Sequence, residues 1–190
     1  MKTIKLTCAH ALVKFLIAQK ILINGKKESL FPGVFAIFGH GNVACLGQAL
    51  EENKKKLPTW RGHHETNMAL TGIAYSRAKR RKQIFVATAS VGPGSTNLIT
   101  AAAVAMSNRI PILFFPAEPF PIKLLVQFLH KLKNFNTPGI TANNAFNPVT
   151  RYLVRITRPD KIIPSLQKPE KVMIDPVNGA PTCIPLSQIV

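Results

Sequence analysis

Gln83 to Phe115 reads QIFVATASVGPGSTNLITAAAVAMSNRIPILFF, an apolar run, a glycine-rich turn, a stretch of small residues and a second apolar run. Ile84-Phe85-Val86-Ala87-Thr88-Ala89 is apolar without alternation, which suits a strand covered on both faces by helices, and hence a parallel sheet. In the turn Gly92-Pro93-Gly94-Ser95-Thr96-Asn97, Gly92 and Gly94 allow positive backbone angles and close approach of a ligand, while Pro93 stiffens the bend. Ser95 or Thr96 can cap the next helix, whose open amides suit a polar or anionic ligand. That helix spans Asn97 to Asn108, small enough in its side chains to lie close on the sheet, and Arg109-Ile110-Pro111 ends it before a strand from Ile112 to Phe115. From the glycines alone, a tight connection without a ligand is an equal reading.

The same alternation extends toward the amino end. Thr7 can begin an amphipathic helix that buries Ala11, Leu12, Phe15 and Leu16. Gly33 to Phe38 reads as a buried strand opening into a Gly39-His40-Gly41-Asn42 loop, and a helix follows from Val43 to Glu52. Pro58 to Arg61 is a short strand, and Glu65 to Lys79 a helix with Met68, Ala69, Ile73 and Ala74 on its apolar face. The order predicts an α/β fold, a three-layer open parallel sheet with helices on both faces, in which both glycine turns and Glu65 share the edge where the strands end.

Toward the carboxyl end the pattern loosens. Leu124 to Leu132 reads as helical, Asn134 to Asn147 as loop, and Val149 to Ile156 as extended. Pro164 and Pro169 leave room for short helical pieces only, and Pro181 to Leu186 reads as a last strand.

Length and charge bound the function classes. The 190 residues suit one domain with a full core. Cys8, Cys45 and Cys183 have no paired spacing, so neither a disulfide framework nor a zinc site is expected, and a cytoplasmic location is. No run is long and apolar enough to cross a membrane. The net charge is +17, from 25 basic and 8 acidic side chains. Its densest runs, Lys54-Lys55-Lys56 and Arg77 to Lys82, could meet nucleic-acid phosphates, yet both fall where helices end and cations are favoured by the helix dipole. No RNA-binding aromatic motif, zinc finger or helix-turn-helix accompanies them, so a basic nucleic-acid module stays the weaker alternative.

Two marks carry a family resemblance: Glu65 opening a helix after a short strand, and the Gly92 to Asn97 turn followed by Arg109-Ile110-Pro111-Ile112. With them the chain resembles the amino-terminal pyrimidine-binding domain of thiamine-diphosphate-dependent enzymes. Within that superfamily three stretches are similar to the trihydroxycyclohexanedione acylhydrolases of inositol catabolism. They are Phe35 to Val43, Leu46 to Asn53, and Asn144 to Val149 with Ile156-Thr157-Arg158-Pro159. The likeness is strongest over Thr3 to Phe115 and Asn143 to Pro159, and irregular over Lys123 to Asn136 and Leu166 to Asp175, the first of which should border the substrate side.

The resemblance implies that Glu65 is the catalytic acid, hydrogen-bonded to the pyrimidine ring nitrogen so that the cofactor's exocyclic nitrogen can take the thiazolium proton. It implies that Glu65, Gly92, Pro93 and Asn97 contact thiamine diphosphate at its pyrimidine end, and that His40 and Asn42 face substrate. The purely structural alternatives are a first-turn acid favoured by the helix dipole for Glu65, a helix-start hydrogen bond for Asn97 and a backbone-bonded loop histidine for His40. Adjacent His63 and His64 lack the helical spacing of a metal pair, and no metal is expected at them. In the family, diphosphate and magnesium are held by a separate domain through a Gly-Asp-Gly motif with a downstream Asn, and a middle domain lies between. Neither is expected here, so magnesium is expected only with that domain. The chain should not catalyse alone, and a homodimer, a partner chain carrying the missing domain, or a decayed remnant are the organisations open to it.

Overall fold

The computed structural model describes residues 4–118, 139–156 and 158–187. Helix α1 (Cys8–Ala18) begins where the Thr7 hydroxyl accepts from the His10 amide at 3.2 Å, and buries Ala9, Leu12, Val13 and Leu16. The buried stripe is thus set one residue round from the expected one, with Ala11 and Phe15 half-buried at its margin. A hairpin follows, β1 (Lys20–Ile23) against β2 (Lys26–Ser29), turned by Asn24 and Gly25 at φ 50° and 78°. Positive φ at both turn residues is what a two-residue hairpin needs, and Asn-Gly supplies it.

The main sheet starts with β3 (Val34–Ile37). The expected Gly39 to Asn42 loop is helical instead: α2 (Gly39–Asn42), a wide turn over Val43–Gly47 and α3 (Gln48–Glu52) run on without a break. Phe38 already has helical angles (φ −68°, ψ −41°), and at Gly39 a Cβ would stand 2.5 Å from the Ser90 hydroxyl, so only glycine lets helix and turn meet this closely. Then come β4 (Thr59–Trp60), α4 (Glu65–Ala78), β5 (Val86–Ala89), the short α5 (Pro93–Thr96), α6 (Ile99–Ser107) and β6 (Leu113–Glu118).

Beyond the undescribed residues, which include the expected helix at Leu124 to Leu132 and the Lys123 to Asn136 region, two expectations are corrected. Ala142–Val149 forms a 3-10 helix rather than loop, because Thr141 and Asn144 cap it reciprocally and Phe146 is fully buried, its ring 5.6 Å from that of Phe114. After β7 (Tyr152–Leu153), α7 (Ile162–Ile174) is one helix through both prolines. Pro164 lies in the first turn, where no amide partner is needed, and the loss at Pro169 is offset by burial of Ile162, Leu166, Pro169 and Met173. The last elements among the described residues are β8 (Thr182–Cys183) and β9 (Leu186–Ser187).

All pairings of the main sheet are parallel, in the order β4-β3-β5-β6-β8-β7, with β9 taking over from β8 beside the far half of β6. Alternate residues send side chains to two cores. Val34, Val86, Leu113 and Phe115 meet α1, α3 and α7, while Ala87, Ala89, Ile112 and Phe114 meet α4 and α6. That is the expected three-layer arrangement. Ala101, Ala102 and Ala105 have no exposed surface, so α6 seats its backbone close on the sheet.

The expected placement of both basic runs at helix ends holds. Lys54 to Lys56 follow α3, where Lys54 pairs with Glu51, and Lys79 to Lys82 follow α4. The three cysteines are free. Cys45 is exposed, whereas burial pushes the Cys183 thiol well above its ordinary range, with the Glu118 charge adding and Arg155 opposing. A thiol reagent is therefore expected to label Cys45 in the folded protein at least about a hundred times faster than Cys183, as peptide mapping after short exposure would read. Equal labelling would contradict the burial described.

Candidate functional site

In an open parallel sheet the crevice lies outside the carboxyl ends of the strands, where the strand order reverses. Here β3 leads outward to β4 on one side and β5 lies on the other. The segments leaving β3, β4 and β5 there are Gly39 to Asn42, the start of α4 at Glu65, and the Gly92 to Asn97 turn.

Glu65 is the first residue of α4, set in place by His64, whose ring Nδ1 accepts from the Thr66 amide at 3.2 Å. Its half-buried side chain is gripped from the turn: Asn97 Nδ2 donates to Glu65 Oε2 at 2.9 Å. Thr66 Oγ1 donates to the Asn97 carbonyl, so two successive residues of α4 hold one asparagine. Gly92 sits at φ 60°, ψ −117°, a conformation that only glycine takes comfortably. A Cβ on Gly94 would stand 3.3 Å from Glu65 Oε1 and 3.2 Å from the Ser90 Cβ. The missing methyl is what lets the carboxylate lie against the turn.

The substrate candidates separate. His40 is exposed on the rim of this edge. Asn42 is buried and turned inward, its amide donating to Thr88 Oγ1 at 3.0 Å and to the Ala89 carbonyl at 3.1 Å. His64 caps α4 with its ring, a role that adjacent histidines did not suggest.

A second polar group on this edge escaped sequence reading. The Asn143 side chain accepts from Ser95 Oγ through Oδ1, while its Nδ2 donates to Glu118 Oε2 at 2.6 Å and to the Ala117 carbonyl at 3.0 Å. Arg155 Nε reaches Glu118 Oε2 at 3.3 Å, and its Nη2 donates to Asn144 Oδ1 at 2.6 Å and Thr141 Oγ1 at 3.2 Å. The network ties the turn, the end of β6 and the 3-10 helix together. Its available signal was a lone carboxylate closing an apolar strand, Glu118 after Phe114-Phe115-Pro116-Ala117.

The family model for the thiamine pyrophosphate enzyme, N-terminal TPP binding domain, matches residues 19–136. The chain belongs to this family. Its similarity to curated proteins runs through almost the whole length. The 3D-(3,5/4)-trihydroxycyclohexane-1,2-dione hydrolase of Shouchella clausii is 44% identical over 187 residues, 98% of this chain and 29% of that protein. The hydrolases of the same name from Bacillus subtilis and Clostridium tetani are 43% and 40% identical, over 98% and 99% of this chain and 29% of each relative. This thiamine pyrophosphate-binding domain thus spans about 29% of the length of the relatives it matches.

The donor set at this edge suits a polar, nitrogen-bearing ligand: a carboxylate at a helix start, oriented by one amide and lying against Gly94, which has no side chain to crowd it. No helix among the described residues is long and apolar enough to cross a membrane.

Proposed function

We propose that this domain forms the pyrimidine-side wall of a thiamine diphosphate site in a ring-opening carbon–carbon hydrolase acting on a trihydroxycyclohexanedione. The clamp between Asn97 Nδ2 and Glu65 Oε2 carries the reading, because it aims one carboxylate at the edge where Gly92 and Gly94 leave room. When bound, the cofactor supplies the carbon nucleophile that protein side chains lack. Glu65 holds or accepts the proton shared with the pyrimidine ring nitrogen, using Oε1, the oxygen beside Gly94. Asn97 fixes the other oxygen, and Gly92 with Pro93 shapes the backbone against the ring. His40, on the rim, borders substrate, whereas Asn42 holds the β3 corner against β5.

Diphosphate and magnesium belong to a second module, supplied by a partner chain or by another domain. Val43 is 55% exposed beside exposed Ala44 and Cys45 on the wide helical turn, an apolar surface on the same edge suited to that module or to a second copy. The test is reconstitution with the remaining part of a related hydrolase. The mixture is expected to restore thiamine-diphosphate-dependent ring cleavage, and a soluble, associated mixture without turnover would overturn the reading.

Gly94 offers a finer check. Gly94→Ala is expected to weaken thiamine diphosphate about tenfold in that assembly while leaving the fold intact, since the new methyl crowds Glu65 Oε1. Unchanged affinity would remove Gly94 from the site.

A further inference from the structure

The ends of α4 and α6 remote from Glu65 meet at a cavity of about 320 Å³ lined by Arg77, Arg80, Arg81, Asn108 and Ile110. The 14 residues of α4 carry this cavity roughly 20 Å along the helix from Glu65, to the opposite edge of the sheet.

Both helices finish in the same way. Arg81 N donates to the Ser76 carbonyl at 2.7 Å and Arg80 N to that of Arg77 at 3.0 Å. Ile110 N donates to Ala105 at 2.9 Å and Arg109 N to Met106 at 3.2 Å. These paired bonds close a helix through one left-handed residue, a position that glycine fills without strain. Here the left-handed residues are Arg80 at φ 51° and Arg109 at φ 52°, and Arg81 follows at 65°. Attraction to the helix dipole does not require this, because Arg77 in the last turn and Lys79 at the cap already place cations at the end of α4.

The guanidinium groups are held unequally. Arg81 Nη2 donates to the carbonyls of Gly179 at 3.0 Å and Asp175 at 3.3 Å, and the Asp175 carboxylate, fixed by the Val177 and Asn178 amides, lies within its field. None of the ion pairs among the described residues reaches Arg77 or Arg80.

We propose that this cavity binds the phosphoryl group of a small molecule, with Arg77 and Arg80 as forked donors and Arg81 as a fixed wall. Planar guanidinium groups match phosphate oxygens two at a time, and this solvent-open depression is at the small end of ligand sites in volume, which suits a compact ligand over a polymer. The site is independent of the Glu65 reading.

Calorimetric titration of the full chain with inorganic pyrophosphate at low salt tests it. Saturable one-site binding is expected, weakened about tenfold or more in Arg77→Gln and in Arg80→Gln, and within about twofold of the original in Glu65→Gln and in a Lys54→Gln, Lys55→Gln control. Arg80→Gly should raise the ligand-free melting midpoint while losing affinity, the signature of strain kept for binding. Absence of saturable heat at millimolar ligand would overturn the proposal. So would an equal loss in the lysine control, which means diffuse surface charge, or oligonucleotide affinity that grows with length and displaces pyrophosphate, which means a nucleic-acid face.

Discussion

Glu65→Gln is expected to lower turnover of the reconstituted enzyme by about two to four orders of magnitude, the usual worth of a positioned acid or base. The substitution keeps the shape of the side chain. Asn97 Nδ2 still has an amide oxygen to donate to in place of Glu65 Oε2, and the Thr66 hydroxyl still holds the Asn97 carbonyl. Stability should therefore move by no more than about 0.5 kcal/mol, as denaturant titration would read. What is lost is a group that can hold a proton at the pyrimidine ring. Turnover within about threefold of the unsubstituted assembly would make Glu65 a first-turn helix acid and nothing more.

Arg155→Met should cost the isolated domain about 2–3 kcal/mol. Glu118 has a side chain only 6% exposed at the end of a central strand, and Arg155, 27% exposed, is its ionic partner. Breaking a buried pair by removing one member strands a charge, typically at 3–5 kcal/mol. The lower figure applies because Arg155 is partly solvated and Asn143 Nδ2 continues to donate to Glu118 at 2.6 Å. Losing Arg155 also frees the capping residues Thr141 and Asn144, so amide exchange should rise in the 3-10 helix. Combining Arg155→Met with Glu118→Leu should recover part of the loss, since the stranded charge is gone. A single-variant loss below about 1 kcal/mol would mean that water already screens the pair.

Gln83 to Phe115 disclosed the fold because a parallel strand buried on both faces is written locally, in a continuous apolar run with glycine at its end. The Glu65 edge was legible for a related reason: topology brings every strand-to-helix turn to one side, so naming the turns locates the crevice. The Asn24-Gly25 hairpin carried an equally local signal and went unread, masked by the flanking lysines and the short strands. The Ser95, Asn143, Glu118 and Arg155 network lies beyond such reading, because its bonded members are far apart in the chain: 25 residues from Glu118 to Asn143, 37 from Glu118 to Arg155 and 48 from Ser95 to Asn143. Continuity of α7 was hidden by proline propensity, a local preference that burial of Leu166, Pro169 and Met173 overrides. The ends of α4 and α6 were legible from the basic run and from Pro111, whereas the left-handed turns that close them were not, because arginine stands at Arg80 and Arg109 where glycine would have announced them.

Proton exchange at the thiazolium carbon of thiamine diphosphate, followed by nuclear magnetic resonance in the reconstituted assembly, tests the central claim most directly, because it reads the role of Glu65 without depending on substrate. Fast exchange is predicted with the unsubstituted domain, slowed about a hundredfold or more by Glu65→Gln with the cofactor still bound. Equal exchange rates in the two assemblies would contradict it.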